Sequence, residues 1–338
     1  MGSKMSIALQ KQKIKIRTES FERFESFFNS EEIELSWNCL FVLPVWLKTW
    51  WDAFGSNKTP EILTGYHDGK LIGVLPLRIE GKTAKFIGGR NVCDYQDAIM
   101  SSTHHQEFLE AILAHLKQKG IRSVQLGDLR PDSLLLNGLP KLAEQMGCTV
   151  VCDQVDTSHE LELPKTWESY LQMLNGKQRH EIRRKMRRLN EAGHVQFRVI
   201  QKPDDVSETM DLFFSLFKAS RPDKSEFLTD PMVSFFLLLA ERMARLGLLR
   251  ISLLDIDQVP AAAVMCFDYN DTVYLYNNGY NPRFSHLSTG FLSKVYSIRD
   301  SIEKGRDRYD LLKGNEAYKK RLGSKPVPLY RLKIDLEK

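Results

Sequence analysis

The residues with the clearest chemical potential lie near the C-terminus, in the segment 274–319. There the sequence predicts a strand, a loop that ends in Leu287-Ser-Thr-Gly290, a helix and a second strand. Ser288 and Thr289 are favourable N-cap residues, and N–H groups at a helix start bind phosphate or stabilise an oxyanion. The pattern therefore predicts an anion site at Ser288, Thr289 and Gly290, unless these residues only cap the helix.

Three side chains of the same segment are candidates for moving a proton. Tyr276 and Tyr280 lie on the predicted strand 272–277 and in the loop after it. A hydroxyl there could protonate a leaving group, although aromatic residues in strands more often pack. Asp310, in the next predicted strand, could act as a base or bind an amine. Asn278 favours a bulged backbone, which would separate two strands and admit a ligand between them.

A second acidic cluster lies in the first half of the chain, in Cys93-Asp-Tyr-Gln-Asp97. Asp94, Tyr95 and Asp97 are candidates for binding an acceptor amine or removing its proton, although aspartates in loops often only cap turns. No Ser-His-Asp or Cys-His arrangement with recognisable flanks is present in the sequence, so we predict no covalent acyl-enzyme. Acyl transfer would then proceed by direct attack of the amine on the donor carbonyl in a ternary complex.

The most basic segment runs from Lys177 to Arg188, where seven Lys or Arg residues stand against one Glu. Its apolar residues recur at helical spacing, which predicts a helix over 177–190 with one face docked on a core. Arg179 and Arg183 lie one turn apart, and like charges at that spacing repel unless an anion lies nearby. The helix is either a solvated basic face or a contact surface for coenzyme A, tRNA or anionic lipid heads.

Composition narrows the class of protein. A chain of 338 residues with 42% apolar residues can bury a core, and its length favours two domains. No apolar run approaches the roughly 18 residues of a membrane span. Residues 10–17 alternate Lys or Arg with isoleucine and polar residues, unlike a signal-peptide core. Five cysteines without a CxxC pair predict neither a disulfide framework nor a zinc site. We therefore expect a cytoplasmic protein without a bound metal.

The order of elements repeats along the chain. Residues 116–128 resemble residues 302–314, and each segment reads as the end of a helix followed by a strand and a glycine corner. Residues 68–77 resemble residues 257–265 at nearly the same offset, and each contains a hairpin signal. Two pairs of similar segments, separated by nearly the same number of residues, predict that the chain contains two copies of one fold.

The predicted elements give an α/β protein with mixed sheets. Helices are predicted at about 44–54, 105–119, 138–146, 177–190, 204–219, 230–246, 288–304 and 315–321. Strands are predicted at about 61–66, 71–78, 84–88, 98–100, 123–126, 148–152, 195–200, 249–254, 261–268, 272–277 and 308–311. We assign residues 1–160 to an N-terminal domain and residues 161–338, including the basic helix, to a C-terminal domain.

This order resembles the GCN5-related N-acetyltransferase (GNAT) fold. In its tandem form it resembles CelD-like acetyltransferases of the cellulose-biosynthesis type and, more distantly, the Fem-type peptidoglycan aminoacyltransferases. The likeness covers roughly residues 35–332 and is carried by Trp46-Leu-x-x-Trp50, Asp68-Gly-Lys-Leu-Ile-Gly-Val-Leu-Pro-Leu77, the Arg179-to-Arg188 helix, Tyr276-x-x-Gly-Tyr280, Leu287-Ser-Thr-Gly290, and Asp310-Leu-Leu-Lys-Gly314 with Tyr318-Lys319. The resemblance implies two GNAT-like domains. The C-terminal one would hold acyl-CoA as co-substrate, and the first would shape the acceptor pocket.

The resemblance also implies roles for single residues. Lys319 would face the donor phosphate or the developing oxyanion, and Tyr318 would contact the donor; a solvated helix lysine is the alternative for Lys319. One departure concerns the segment 283–290, which has one glycine where the superfamily's Arg/Gln-x-x-Gly-x-Gly/Ala loop has two. This departure leaves an aminoacyl-tRNA or another acyl donor open.

We therefore expect an N-acyltransferase that moves an acyl group, expected to be acetyl, from acyl-CoA to an amine. The amine would belong to a small molecule, a sugar or a peptide. One alternative is a Fem-like transferase that uses aminoacyl-tRNA as donor. The other is a non-catalytic module whose basic helix binds nucleic acid or an anionic membrane.

Overall fold

The computed structural model describes residues 14–56, 58–101 and 103–337. The strands are β1 Lys15–Glu19, β2 Thr59–His67, β3 Lys70–Glu80, β4 Thr83–Phe86, β5 Ile99–Met100, β6 Ser123–Leu129, β7 Thr149–Glu162, β8 Val195–Ile200, β9 Leu249–Ile256, β10 Val259–Tyr269, β11 Thr272–Tyr280, β12 Arg308–Lys313 and β13 Lys325–Asp335. The helices are α1 Phe21–Phe28, α2 Pro44–Phe54, α3 His105–Gln118, α4 Leu134–Gln145, α5 Trp167–Met173, α6 Gly176–Ala192, α7 Val206–Ser220, α8 Pro222–Phe227, α9 Asp230–Arg245, α10 Thr289–Glu303 and α11 Ala317–Arg321. Part of the stretch 10–17, on which the signal-peptide prediction rests, lies outside the described residues.

Local sequence explains where many of these elements begin and turn. Helix α2 starts with Pro44, whose fixed φ suits the first turn. Helix α6 starts with a capping box in which Asn175 and Gln178 satisfy each other's backbone N–H groups. The β2–β3 and β9–β10 hairpins turn at Asp68 and Asp257, whose φ angles are 49° and 48°. Aspartate tolerates this left-handed conformation better than most residues. The hairpin signals in the sequence therefore predicted both turns correctly.

The strands of the described residues form one mixed sheet in the order β1-β2-β3-β4-β6-β13-β7-β12-β11-β10-β9-β8, and β5 pairs with β3. Each half contains one parallel pair, β4 with β6 in the first half and β11 with β12 in the second. Each parallel pair ends after a short run of residues, and the two strands then separate. The mixed α/β class and the repeat predicted from the sequence are thereby confirmed.

The two halves exchange their last strands. Strand β13, from the C-terminus, lies between β6 and β7. Strand β7, which ends the first half of the sequence, pairs in turn with β12 of the second half. The sheet therefore crosses the predicted domain boundary at residues 160 and 161, and that boundary stays a prediction.

An aromatic core joins the halves on one side of the sheet. The ring of Trp46, in α2, lies 5.1 Å from the rings of Phe267 and Tyr276 in edge-on contacts. Tyr276 also lies 5.7 Å from Phe236 in α9. Aromatic pairs of this kind contribute about 0.5–1.5 kcal/mol each beyond their buried area. Because residues from both halves share this core, the position of β11 is fixed relative to the first half.

Two features shape the end of β11. Tyr276 is an extra residue in the pairing of β11 with β10, since the register shifts between Met265 and Cys266. Helix α7 crosses β11 so closely that a Cβ atom on Gly279 would lie 2.4 Å from the backbone nitrogen of Phe217. The bulge and the close crossing direct the end of β11 away from β12.

Candidate active site

A cleft opens where β11 and β12 separate, beside the start of α10. Its volume is about 460 Å³, and its lining includes Asn278, Tyr280, Ser288, Thr289, Gly290 and Tyr318. We call it the β11–α10 cleft. The structure thus brings together six residues that the sequence assigned to donor or substrate binding.

The N-terminus of α10 faces this cleft. Ser288 has a left-handed φ of 59°, and its side chain does not cap the helix. Instead its backbone oxygen accepts hydrogen bonds from the N–H groups of Phe291 and Leu292. Thr289 lines the cleft, and its buried Oγ1 has no hydrogen-bond partner among the residues that the structure describes. Because the first N–H groups of a helix have no partner within the helix, a helix start that lines a cleft is suited to a polar or anionic ligand.

A buried lysine forms the floor of the cleft. The Nζ of Lys294 donates to Oδ1 of Asn278 at 2.9 Å and to the backbone oxygen of Gly290 at 2.6 Å. It also lies 4.7 Å from the centre of the Tyr318 ring. A Cβ atom on Gly290 would lie 2.8 Å from the ring of Tyr280, so glycine is needed for this packing. Lys294 was not among the residues predicted from the sequence, because its position on the inner face of α10 follows only from the helix phase.

The basic helix α6 packs on the core through Ile182 and Leu189, as its apolar spacing predicted, and it lies beside the cleft. The Nζ of Lys185 donates to Oγ of Ser288 at 2.6 Å. Arg179 instead turns toward α5, where Nη1 donates to the backbone oxygen of Leu171 at 3.3 Å. Arg183 is exposed and does not line the cleft. The donor-binding role predicted for Arg179 and Arg183 stays a prediction, and Lys185 is the α6 cation that reaches the start of α10.

Lys319 is buried at the corner that follows β12. Its Nζ donates to the backbone oxygens of Leu312, Lys313 and Gly314 at 2.9, 2.7 and 3.1 Å. It also forms an ion pair with Glu316 at 3.0 Å. These contacts hold the corner in place, and Lys319 is absent from the lining of the β11–α10 cleft. Its catalytic role stays a prediction, while its contacts give it a structural one.

We expect the Lys319→Met variant to be less stable by about 3 kcal/mol, because three buried carbonyls would lose their donor. For a chain of this size the melting temperature should fall by about 4 °C. Lys320→Met, at the exposed neighbouring position, is the matched control and should melt as the wild type does. Thermal unfolding followed by circular dichroism measures both. A Lys319→Met protein with wild-type stability and no transferase activity would instead support the catalytic role.

Tyr276 and Asp310 lie away from the β11–α10 cleft. The hydroxyl of Tyr276 donates to the backbone oxygen of Val92 at 3.0 Å, and burial raises its pKa. Asp310 accepts hydrogen bonds from the hydroxyl of Tyr95 and the N–H of Leu312, both at 2.7 Å. Burial raises the pKa of its carboxyl group. Asp310 and Tyr95 face a separate cavity of about 340 Å³ between the halves, and their predicted site roles stay predictions.

Asp97 lies at the same cavity but acts as a helix cap. Its carboxylate accepts hydrogen bonds from the Ser133 hydroxyl at 2.9 Å and from the N–H groups of Leu134 and Leu135 at 3.1 and 3.3 Å. These are the first donors of α4, which a carboxylate satisfies well. The alternative given in the sequence analysis, a loop aspartate that caps, matches these contacts.

Asp94 connects the first half to the corner of the second half. Its Oδ1 accepts a hydrogen bond from the N–H of Lys313 at 2.9 Å. Burial raises its pKa to about 6, although the nearby charge of Lys313 acts in the opposite direction. Tyr318, which lines the β11–α10 cleft, is close enough for the charge of Asp94 to contribute to its raised pKa. A carboxylate that titrates near neutral pH beside such a cleft is a candidate general base.

Two further properties bear on the ligand. In the ranges 14–56, 58–101 and 103–337, no group of three or more His, Cys, Asp or Glu side chains could hold a metal ion. Among the described helices, none combines the length and the apolar character needed to cross a membrane.

The chain is similar to known proteins in sequence over one domain and in fold over nearly its whole length. Residues 176–320 match the acetyltransferase (GNAT) domain family. A search among curated proteins gives no match. Among solved structures, FemX is similar with a TM-score of 0.63 at 12% identity, over 94% of this chain and 96% of FemX.

Two more solved structures have the same fold. The C-terminal domain of a putative lysylphosphatidylglycerol synthetase from Agrobacterium fabrum has a TM-score of 0.56 at 12% identity, over 93% of this chain and 92% of its own. L-PGS from Bacillus licheniformis has a TM-score of 0.57 at 11% identity, over 92% of this chain and 90% of its own. Identities this low establish the fold alone.

The matched family covers α6, β11, the α10 start and the β12 corner, which are the elements that build the β11–α10 cleft. The match to this family supports an acyltransferase activity in general. Residues 176–320 are thus similar to the acetyltransferase (GNAT) domain family, and the chain as a whole shares its fold with FemX.

Proposed function

We propose that the protein transfers an acyl group, expected to be acetyl, from acyl-CoA to the amine of a small molecule, a sugar or a peptide. The observation that carries the proposal is the start of α10, since Ser288, Thr289 and Gly290 all line the β11–α10 cleft. A helix start in a cleft is suited to a phosphate group of the donor.

Side chains around the helix start add positive charge. Lys185 reaches Ser288, and Arg321 lines the cleft with its guanidinium 5.6 Å from the ring of Phe291. The donor's phosphates would lie at this end, near Ser288, Thr289 and Gly290. These groups compensate for the missing second glycine, because they supply cations in place of one backbone N–H.

The chemistry proposed is direct attack. The amine nitrogen forms a bond to the thioester carbonyl carbon, and the carbon–sulfur bond breaks. Asp94 accepts the proton that the amine loses. The leaving sulfur takes a proton from the hydroxyl of Tyr318, which recovers one from Asp94. Burial raises the pKa of Tyr318, so its hydroxyl is protonated at neutral pH.

An aminoacyl-tRNA donor is the alternative, and the similarity in fold to FemX is the observation that favours it. The outer face of α6 would then contact the nucleic acid, since Arg183 and Arg187 are exposed there. Such binding would depend steeply on salt concentration, because phosphate contacts release counterions. A non-catalytic basic module would show the same salt dependence without turnover.

Calorimetric titration with acetyl-CoA tests the donor. We expect the wild type to bind and Lys185→Glu to bind about ten- to hundredfold more weakly, because a charge-assisted contact near the phosphates becomes repulsive. Arg183→Glu makes the same charge change on the exposed face of α6 and should alter the affinity less than about twofold, as expected for a surface charge.

Two results would contradict this assignment. Equal weakening by both substitutions would mean that general charge, and not the cleft, governs binding. No binding of acetyl-CoA, together with salt-dependent binding of tRNA that Arg183→Glu weakens, would favour the tRNA-dependent alternative.

A further inference from the structure

A second cleft, unassigned so far, lies in the first half where β4 and β6 separate. Its volume is about 330 Å³, and its charged lining consists of Arg78, Lys85, Arg90, Arg331, Lys333 and Asp128. We call it the β4–β6 cleft. It occupies the position in the first half that the β11–α10 cleft occupies in the second.

The β4–β6 cleft lacks the helix start that characterises its counterpart. After β4 the chain passes through Gly88 and Gly89, and α3 begins only at His105. Gly88 has a φ of 116°, and a Cβ atom there would lie 2.8 Å from the sulfur of Cys93. This tight loop leaves cationic side chains, instead of helix N–H groups, to face a ligand. A second donor site of the same design is therefore not present here.

Three of the five cations in the lining already have acidic partners. Arg78 and Lys85 both pair with Glu80, at 2.8 and 2.7 Å. Arg90 donates to both oxygens of Asp128, at 2.7 and 2.9 Å. These pairs hold the walls of the cleft, and on β3 and β4 the two cations share the one carboxylate of Glu80.

The remaining two cations lie on β13. Arg331 and Lys333 are two residues apart, so they project from the same face of the strand. Neither forms an ion pair or a side-chain hydrogen bond in the part of the chain that the structure describes. Asp153 lies opposite Arg331 in the register of β7, yet the two form no ion pair. The floor of the cleft thus carries two uncompensated positive charges side by side.

Lys313 lines neither cleft, but it contacts two residues of the β4–β6 cleft and precedes the corner that leads to the other cleft. The Nζ of Lys313 donates to the backbone oxygen of Arg90 at 2.9 Å and lies 3.5 Å from Asp128, both in the β4–β6 cleft. The N–H of Lys313 donates to Asp94, the proposed base. Gly314 and Glu316, the next residues of the corner, lead to the β11–α10 cleft. The corner after β12 therefore connects residues of the β4–β6 cleft with residues of the β11–α10 cleft.

We propose that the β4–β6 cleft binds the anionic end of the acceptor, a phosphate or carboxylate group, through Arg331 and Lys333. The acceptor is then an amine that also carries such a group. That this ligand is the acceptor rests on the proposed transferase function. That the cleft binds an anion rests only on the shape of the cleft and its charges. Two adjacent cations on the floor of a cleft bind a multivalent anion better than isolated surface lysines do.

The test is titration of the full chain with pyrophosphate and with citrate, followed by calorimetry. We expect the double variant Arg331→Gln/Lys333→Gln to bind the preferred anion at least about tenfold more weakly than the wild type. Lys325→Gln, an exposed lysine at the start of the same strand, should bind as the wild type does. Tighter binding of pyrophosphate indicates a phosphate-bearing acceptor, and tighter binding of citrate a carboxylate-bearing one.

Pyrophosphate could also bind in the donor cleft. The variant Lys185→Glu distinguishes binding there from binding in the β4–β6 cleft. Anion binding that Lys185→Glu leaves intact and the double variant abolishes supports the β4–β6 site, even if acetyl-CoA does not bind and the proposed function fails. Anion binding that falls with Lys185→Glu and not with the double variant overturns the site, and so does the absence of binding by either anion. Acetyl-CoA affinity unchanged in the double variant shows that the two clefts act separately.

Discussion

Deletion of residues 325–338 is expected to prevent the first half of the protein from folding. Strand β13 fills the space between β6 and β7 and pairs with both. It also buries Leu329, Leu332 and Ile334, and two of these belong to the core under α3 and α4. Without β13, β6 and β7 would expose unpaired backbone groups to water and to other chains. We expect the free energy lost with the contacts of β13 to exceed the stability of a typical domain, which is about 5–15 kcal/mol.

Hydrogen exchange and thermal unfolding measure this effect. We expect the truncated chain to lose protection in β4, β6 and β7 and to aggregate, and a peptide spanning 324–337 to restore protection when added. A deletion of residues 336–338 only, which keeps β13, is the control and should retain cooperative unfolding. A truncated chain that melts cooperatively near the wild-type temperature would show that each half closes its own sheet.

Substitution of Asp94 by Asn is expected to lower kcat by about 10²–10⁴-fold, the usual contribution of a general base. The change keeps an oxygen for the N–H of Lys313, so the fold should be little affected. The assay is release of the CoA thiol with acetyl-CoA and a panel of amino sugars, amino acids and peptides. Asp97→Asn is the matched control in the same loop, and it should cost stability rather than kcat because Asp97 caps α4.

The pH profile gives an independent check on Asp94. Its pKa is raised to about 6, and a base must be ionised to accept a proton. Activity of the wild type should therefore rise with pH through about 6 and level off above it. The residual activity of Asp94→Asn should lack this step. An unchanged kcat, or an acid limb that persists in the variant, would exclude Asp94 as the base.

Much of the fold could be predicted because its signals are local. Helix α2 has the predicted bounds 44–54, since Pro44 and the apolar spacing both act within one element. The hairpins at Asp68 and Asp257 are set by turn chemistry. Strand β13 was missed because Pro326 and Pro328 argue against a strand and because its partners lie far away in the sequence. Strand β1 and helices α1 and α5 were missed as well.

Part of the site could also be predicted, because some of its residues are close together in the sequence. Asn278, Tyr280 and Gly290 come together because β11 leads directly into α10. The choice between Arg183 and Lys185 depends on which face of α6 docks, and the buried stripe of Ile182 and Leu189 decides it. That stripe was visible in the sequence, but its orientation toward Ser288 was not.

Properties that arise from burial could not be predicted. The raised pKa of Asp94 depends on how distant segments enclose its side chain, and it arises when the first half contacts the corner after β12. The three carbonyls around Lys319 depend on how the chain turns at that corner. In the sequence, both residues are ordinary polar positions in or beside a loop.

The exchange of the last strands has a consequence for synthesis on the ribosome. Strand β6 is complete at Leu129, but its neighbour β13 begins only at Lys325. At about 5–20 residues per second, roughly 10–40 s separate the two strands as the nascent chain emerges. During this interval β6 has an open edge that another nascent chain could pair with. Holdase chaperones that cover such an edge should therefore raise the yield of soluble protein more than slower translation does.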